Sequence, residues 1–122
     1  MRTDEKMSNV DAAQYADALL GASVALRREL VQYERQLRRM RTRVLQGKPN
    51  PPAHDLPDLI AVRTNIKQRF DDMERCRRTW RVAYFRLQTD AGMSLGAIAR
   101  EWGLSRQLVS RLMSDAGTNE HA

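Results

Sequence analysis

The stretch SLGAIAREWGLSRQLVSRLMS, from Ser94 to Ser114, concentrates the residues of this chain whose types and spacing could do chemistry. Ser94 and Ser105 each precede a helical run, where a hydroxyl can accept from an amide that the helix leaves unbonded. Gly103 stands between the runs, at a sharp turn that only glycine enters cheaply with positive φ. Ala99 precedes it by four residues and Val109 follows it by six. A small residue suits a close helix crossing, and a branched one suits a second helix packing back on the first. Ile98, Ala99, Leu104, Val109 and Leu112 form the inner face. Helical phase then turns Arg106, Gln107, Ser110, Arg111 and Ser114 outward.

Bond-making chemistry is not expected. There is no Ser-His-Asp, Cys-His or glycine-rich phosphate arrangement. Asp71 and Asp72 are adjacent, so on a helix they diverge. One cysteine, Cys76, excludes an internal disulfide, and with only His54 and His121 no metal set can be assembled. The chain therefore reads as no enzyme, with no cofactor and no metal. The N-terminus carries acids early and lacks an apolar core, unlike a signal peptide. No run is long enough to span a bilayer, so a cytoplasmic protein without a membrane partner is expected.

The elements that must position this stretch are helices. Residues 1–9 are polar and read as disordered. From Val10 to Gln46 there is no proline, and two seven-residue rows interleave. One is Ala16, Ser23, Leu30, Leu37, Val44, and the other Ala12, Leu19, Leu26, Tyr33, Met40. Their three-four spacing is a coiled-coil seam, small in its first half and large in its second. The seam does not say whether each row faces its own hairpin or a second chain. Gly47 follows as a helix cap. All four prolines fall between Lys48 and Pro57, which makes 47–57 a loop. A second helix begins near Asp55 or Asp58 and runs to about Ala91, with Gly92 ending it. Leu59, Val62, Ile66, Met73, Cys76, Trp80, Ala83 and Leu87 form its apolar row. Arg69 interrupts the row, and Phe70 is expected to fill the face. Cys76 and Trp80 read as core, Trp102 as packed under the turn, Tyr33 and Tyr84 as core-edge residues, and His54 as a solvated loop residue. The expected fold is all-α, a long antiparallel, coiled-coil-like helical hairpin over residues 10–79 followed by a compact region over 80–115. Residues 116–122 read as a disordered tail.

The residues Gly92, Met93, Ser94, Ile98, Ala99, Arg100, Glu101, Gly103, Leu104, Ser105, Arg106, Val109 and Arg111 follow a pattern similar to G-M-S-x-x-x-I-A-R-E-x-G-[VL]-S-R-x-x-V-x-R. In this the stretch resembles the helix-turn-helix family of DNA-binding domains, in the form seen at the C-terminus of resolvases and invertases and in sigma-factor-like domains. The resemblance covers residues 80–115, and no recombinase catalytic domain precedes it. It implies that the second helix enters the major groove of double-stranded DNA. Arg106 or Arg111 would fork onto guanine and Gln107 onto adenine, with Ser110 beside them. Ser94, Ser105 and Ser114 would reach phosphates.

Charge qualifies that reading. The chain carries a formal +6 and a pI of about 10.2, which suits a polyanionic partner. From Leu87 onward, however, three basic residues face four acids. The positive charge lies earlier: eight basic residues against two acids from Arg27 to Lys48, and eight against three from Arg63 to Arg86. Phosphate neutralisation needs cations near the groove, and Arg77, Arg78, Arg81 and Arg86 are the best placed. The expected function is a small bacterial, sequence-specific transcriptional regulator that dimerises through its hairpin. Two alternatives stay open. One is a nucleoid-associated or plasmid or phage DNA-maintenance protein with low sequence preference. The other is a helical interaction protein whose basic Arg35–Arg43 tip docks on RNA polymerase or another acidic partner.

Overall fold

In the computed structural model, which describes residues 6–48, 50, 52 and 55–119, the chain is all-helical. Four helices follow one another: α1 (Asn9–Leu45), α2 (Leu56–Asp90), α3 (Leu95–Trp102) and α4 (Arg106–Asn119). The all-α reading therefore holds, and α1 and α2 pack together. No helix among the described residues is long and apolar enough to cross a membrane.

The helix ends follow from local chemistry. Ser8 Oγ accepts from the Asp11 amide at 2.9 Å and so caps α1. The Met7 amide donates to the Asp90 carboxylate at 2.9 Å. Met7 and Ser8 are thus bonded and Asn9 is helical, which departs from the expected disordered start, whose residues 1–5 lie outside the described ones. Lys48 N donates to Arg43 O and Gly47 N to Val44 O, the paired bonds of a Schellman cap, and α1 ends there. The same pair of bonds ends α2, from Met93 N to Gln88 O and from Gly92 N to Thr89 O. Pro57 sits in the first turn of α2, where its missing donor costs least. Within the loop, His54 lies outside the described residues. α4 continues to Asn119, past the expected end at 115, because no proline interrupts it.

The chain divides into two compact units that differ from the expected boundaries. One is residues 1–19 with 75–122, and the other is residues 20–74. The compact region anticipated at 80–115 therefore also takes in the start of α1.

In the unit of residues 20–74, α2 presents the row expected of it: Leu59, Val62, Ile66 and Met73 are all partly covered. Phe70 does not fill the gap at Arg69. It is 50% exposed, because a neighbouring residue lies about 100° round the helix. Arg69 turns outward as well, 4.0 Å from Asp72. On α1 the inward face is rotated from the expected seam. Ala22, Val24, Ala25, Leu26, Glu29, Gln36 and Arg43 are the covered positions; Leu26 belongs to the expected seam, and Gln36 is buried. Ser23, Leu30, Leu37 and Val44 are exposed. The expected row of Ser23 to Val44 is therefore not a seam within this hairpin.

The long helix contains one avoidable weakness. Gly21 lies inside α1, is exposed, and has open space where a Cβ would stand. Glycine there costs the helix about 0.5–1 kcal/mol relative to alanine. Gly21→Ala should raise the stability to urea by that amount, seen as a higher midpoint with an unchanged denaturant slope.

Candidate nucleic-acid interface

The unit of residues 1–19 and 75–122 holds a core of Phe85, Ile98, Ala99 and Val109. Phe85, Ile98 and Val109 are wholly buried. Met93, Leu95, Leu104, Leu112 and Met113 pack around them. One long helix and two short ones each contribute a side chain to a single cluster. An isolated eight-residue helix is unstable in water, so α3 depends on this cluster for its existence.

Local bonds shape the pair. Ser94 Oγ accepts from Ala97 N at 3.1 Å and starts α3. Gly103, at φ 67°, closes α3, and Leu104 N donates back to Ala99 O at 2.8 Å. Ser105 Oγ accepts from Leu108 N at 3.1 Å and starts α4. Both serines thus use a side-chain acceptor inside the fold. Their hydroxyl protons stay free to donate to a partner. The residues expected inside (Ile98, Ala99, Leu104, Val109, Leu112) are buried or half-buried, and Gly103 lies at the exposed turn.

The outward set is equally distinct. Arg106, Gln107, Ser110, Arg111 and Ser114 are all exposed. Gln107, Ser110, Arg111 and Ser114 lie on the α4 surface away from Val109, and Arg106 lies at its edge, in the first turn. Comparison of the chain with protein-family models, curated proteins and solved structures finds no match.

The four arginines expected to help fall into two groups by helical phase. Arg78 and Arg86, with Arg75, edge a groove of about 600 Å³ whose floor includes Val82, Ala83 and Leu112 and whose rim includes Asp115. Arg77 and Arg81 share a row with Tyr84 and Gln88, on the side of α2 that meets Trp102. Arg77 and Arg78 are exposed, and Arg81 and Arg86 are half-buried. The groove meets α4 through Leu112 and Asp115, not through Arg106 or Gln107. The four cations therefore do not form one patch with the outward residues of α4.

Trp102 packs on one side and is otherwise exposed. Its ring meets Phe85 edge-on at 5.2 Å and Tyr84 at 5.8 Å, and Tyr84 in turn lies 5.4 Å from Trp80. Such pairs add roughly 0.5–1.5 kcal/mol beyond burial. Two residues of this region escape the sequence reading. Phe85 is the centre of the core. Its signal is the run VAYF (Val82–Phe85), where the apolar arc of α2 widens beyond one row. Gln88 is buried and donates from Nε2 to the Glu101 carboxylate at 2.9 Å, which ties α2 to α3. Nothing in its sequence context marks it.

Phe85→Ala should cost about 3–5 kcal/mol, and Gly103→Ala about 1–2 kcal/mol through its forced left-handed backbone. Amide hydrogen exchange localises the damage: protection should fall across residues 95–119 in both variants.

Proposed function

We propose that α3 and α4 form a helix-turn-helix that reads double-stranded DNA, with α4 entering the major groove. The observation that carries this reading is the division of α4. Its inner side is locked on α3 through Val109, and its outer side offers Arg106, Gln107, Ser110 and Arg111 to solvent. A rigid helix with forked donors on its free side is what base-edge recognition needs. Gly103 supports it by setting the turn between the helices.

In this reading Arg106 and Arg111 take guanine, Gln107 takes adenine, and Ser94, Ser105 and Ser114 hold phosphates. Arg77, Arg78, Arg81 and Arg86, which lie on two sides of α2 apart from the outward residues of α4, add sequence-independent attraction at longer range. The near-neutral charge beyond Leu87 makes α4 a source of specificity more than of affinity. A homodimer would then supply the rest by placing two such helices on a two-fold site, about one turn of DNA apart. The role is that of a small bacterial transcriptional regulator, not an enzyme, acting in the cytoplasm on the nucleoid.

A second reading has its own observation. Arg27, Arg28, Arg35, Arg38, Arg39 and Arg41 are all exposed along α1. A helix so charged favours a nucleoid-associated protein that coats DNA with little sequence preference.

Selection of bound fragments from genomic DNA decides between the two. A recurrent two-fold motif supports the first reading, and uniform recovery supports the second. Arg106→Ala and Arg111→Ala should each relax preference at one base position, at a cost of about 1–3 kcal/mol. Arg77→Ala and Arg78→Ala should weaken all sequences alike, by a margin that shrinks as salt rises. Unchanged base preference in both α4 variants would sink the groove assignment.

A further inference from the structure

The hairpin unit leaves an apolar row uncovered. Leu30, Leu37 and Val44 are 40%, 43% and 60% exposed, at heptad spacing. Tyr33 and Met40 beside them are about equally exposed. By helical phase Leu56 and Phe70 of α2, both also exposed, flank the same side of the pair, with Arg63 between them. The other side is more polar: Arg39, Asp55 and Asp58 lie there, edging a cleft that Gln36, Met40, Arg43 and Leu59 also line. A lone hairpin gains nothing from a heptad row turned to water, and contiguous apolar patches of this kind mark interaction surfaces.

We infer that this row is the dimer interface, and that α1 packs on α1 of a second copy in antiparallel orientation with Leu30 at the two-fold axis. The inference rests on the paired reading of function and specifies the surface and direction of that pairing. Two observations select a second copy in this orientation. The first is size. Antiparallel pairing about Leu30 sets Ser23 against Leu37 of the partner subunit, a small residue against a large one. Parallel pairing sets Ser23 against Ser23 and Leu37 against Leu37, which alternates gaps with crowding. The second is charge. The row flanking Leu30 on one side is Leu20, Arg27, Glu34 and Arg41, and on the other Leu26, Tyr33 and Met40. In antiparallel pairing each flank meets its own kind. Arg27 then faces Glu34 of the partner subunit twice over, and Tyr33 and Met40 meet apolar residues. In parallel pairing the charged flank would lie on the apolar one.

The test uses the full chain in a Cys76→Ser background. Sedimentation equilibrium should show a dimer at micromolar concentration, and a monomer for Leu30→Glu/Leu37→Glu with its far-ultraviolet helicity retained. Under mild thiol oxidation, mixed Ser23→Cys and Leu37→Cys chains should give the cross-linked pair, whereas Leu37→Cys alone should not. At low salt Arg27→Glu should raise the dimer dissociation constant by up to about tenfold. Arg27→Glu/Glu34→Arg should restore it, which keeps the proposal testable if the glutamate variant fails to fold. A monomeric parent chain overturns both this inference and the paired reading of function. A dimer in which Leu37→Cys links to itself overturns the antiparallel arrangement and leaves a homodimer standing. A dimer that survives the double glutamate substitution overturns the surface. DNA recognition by α4 is read separately, in the base-preference variants.

Discussion

The burial of Phe85 against Ile98 and Val109 is the contact on which the candidate interface depends. α3 has eight residues and α4 fourteen, lengths at which helix propagation barely offsets nucleation. Neither short helix carries enough apolar surface to stand alone. A single aromatic ring from the end of α2 gives both a surface to bury. The caps at Ser94, Gly103 and Ser105 then fix where each helix begins and ends. With the inner side of α4 committed to this cluster, its polar side has only one place to go, and Arg106, Gln107, Ser110 and Arg111 face water.

The hairpin unit follows a different constraint. Two helices bury one stripe each, and α1 carries more apolar surface than one stripe. The covered positions on α1 include Glu29, Gln36 and Arg43. Arg43 donates to the Asn50 carbonyl at 2.7 Å, so part of this polar row serves the loop. The price is the exposure of Leu30, Leu37 and Val44. The polar row of Glu29, Gln36 and Arg43 and the apolar row of Leu30, Leu37 and Val44 lie about 100° apart on α1, so a turn of that size exchanges one for the other.

Much of this was legible in the residues. Gly47, Gly92 and Gly103 each have positive φ and end a helix, because a left-handed residue is where a chain leaves a helix and glycine pays least for it. The α2 row from Leu59 to Leu87 matches coverage in every member named, because α2 has a single apolar stripe along most of its length. The inner and outer faces of α3 and α4 were equally plain, since short amphipathic helices leave little freedom of phase. Less legible were Phe85 and Gln88, which lie off the main row. They matter only because α2 has to meet a second set of neighbours in its last turns. The Phe70 reading failed for a related reason: adjacency in sequence is not adjacency on a helix face.

By itself, then, the sequence determined where helices start and stop, which side of α4 is polar, and where the positive charge lies. These are local properties, fixed by backbone stereochemistry and by the 3.6-residue period. Only the tertiary structure decided which of two neighbouring heptad rows on α1 would be covered, and that the start of α1 joins the unit of α3 and α4. It also decided that the arginines near the end of α2 part into two groups. Each of these depends on the rotation of one helix against another, and that rotation is set by packing partners far away in the chain, which no local pattern records.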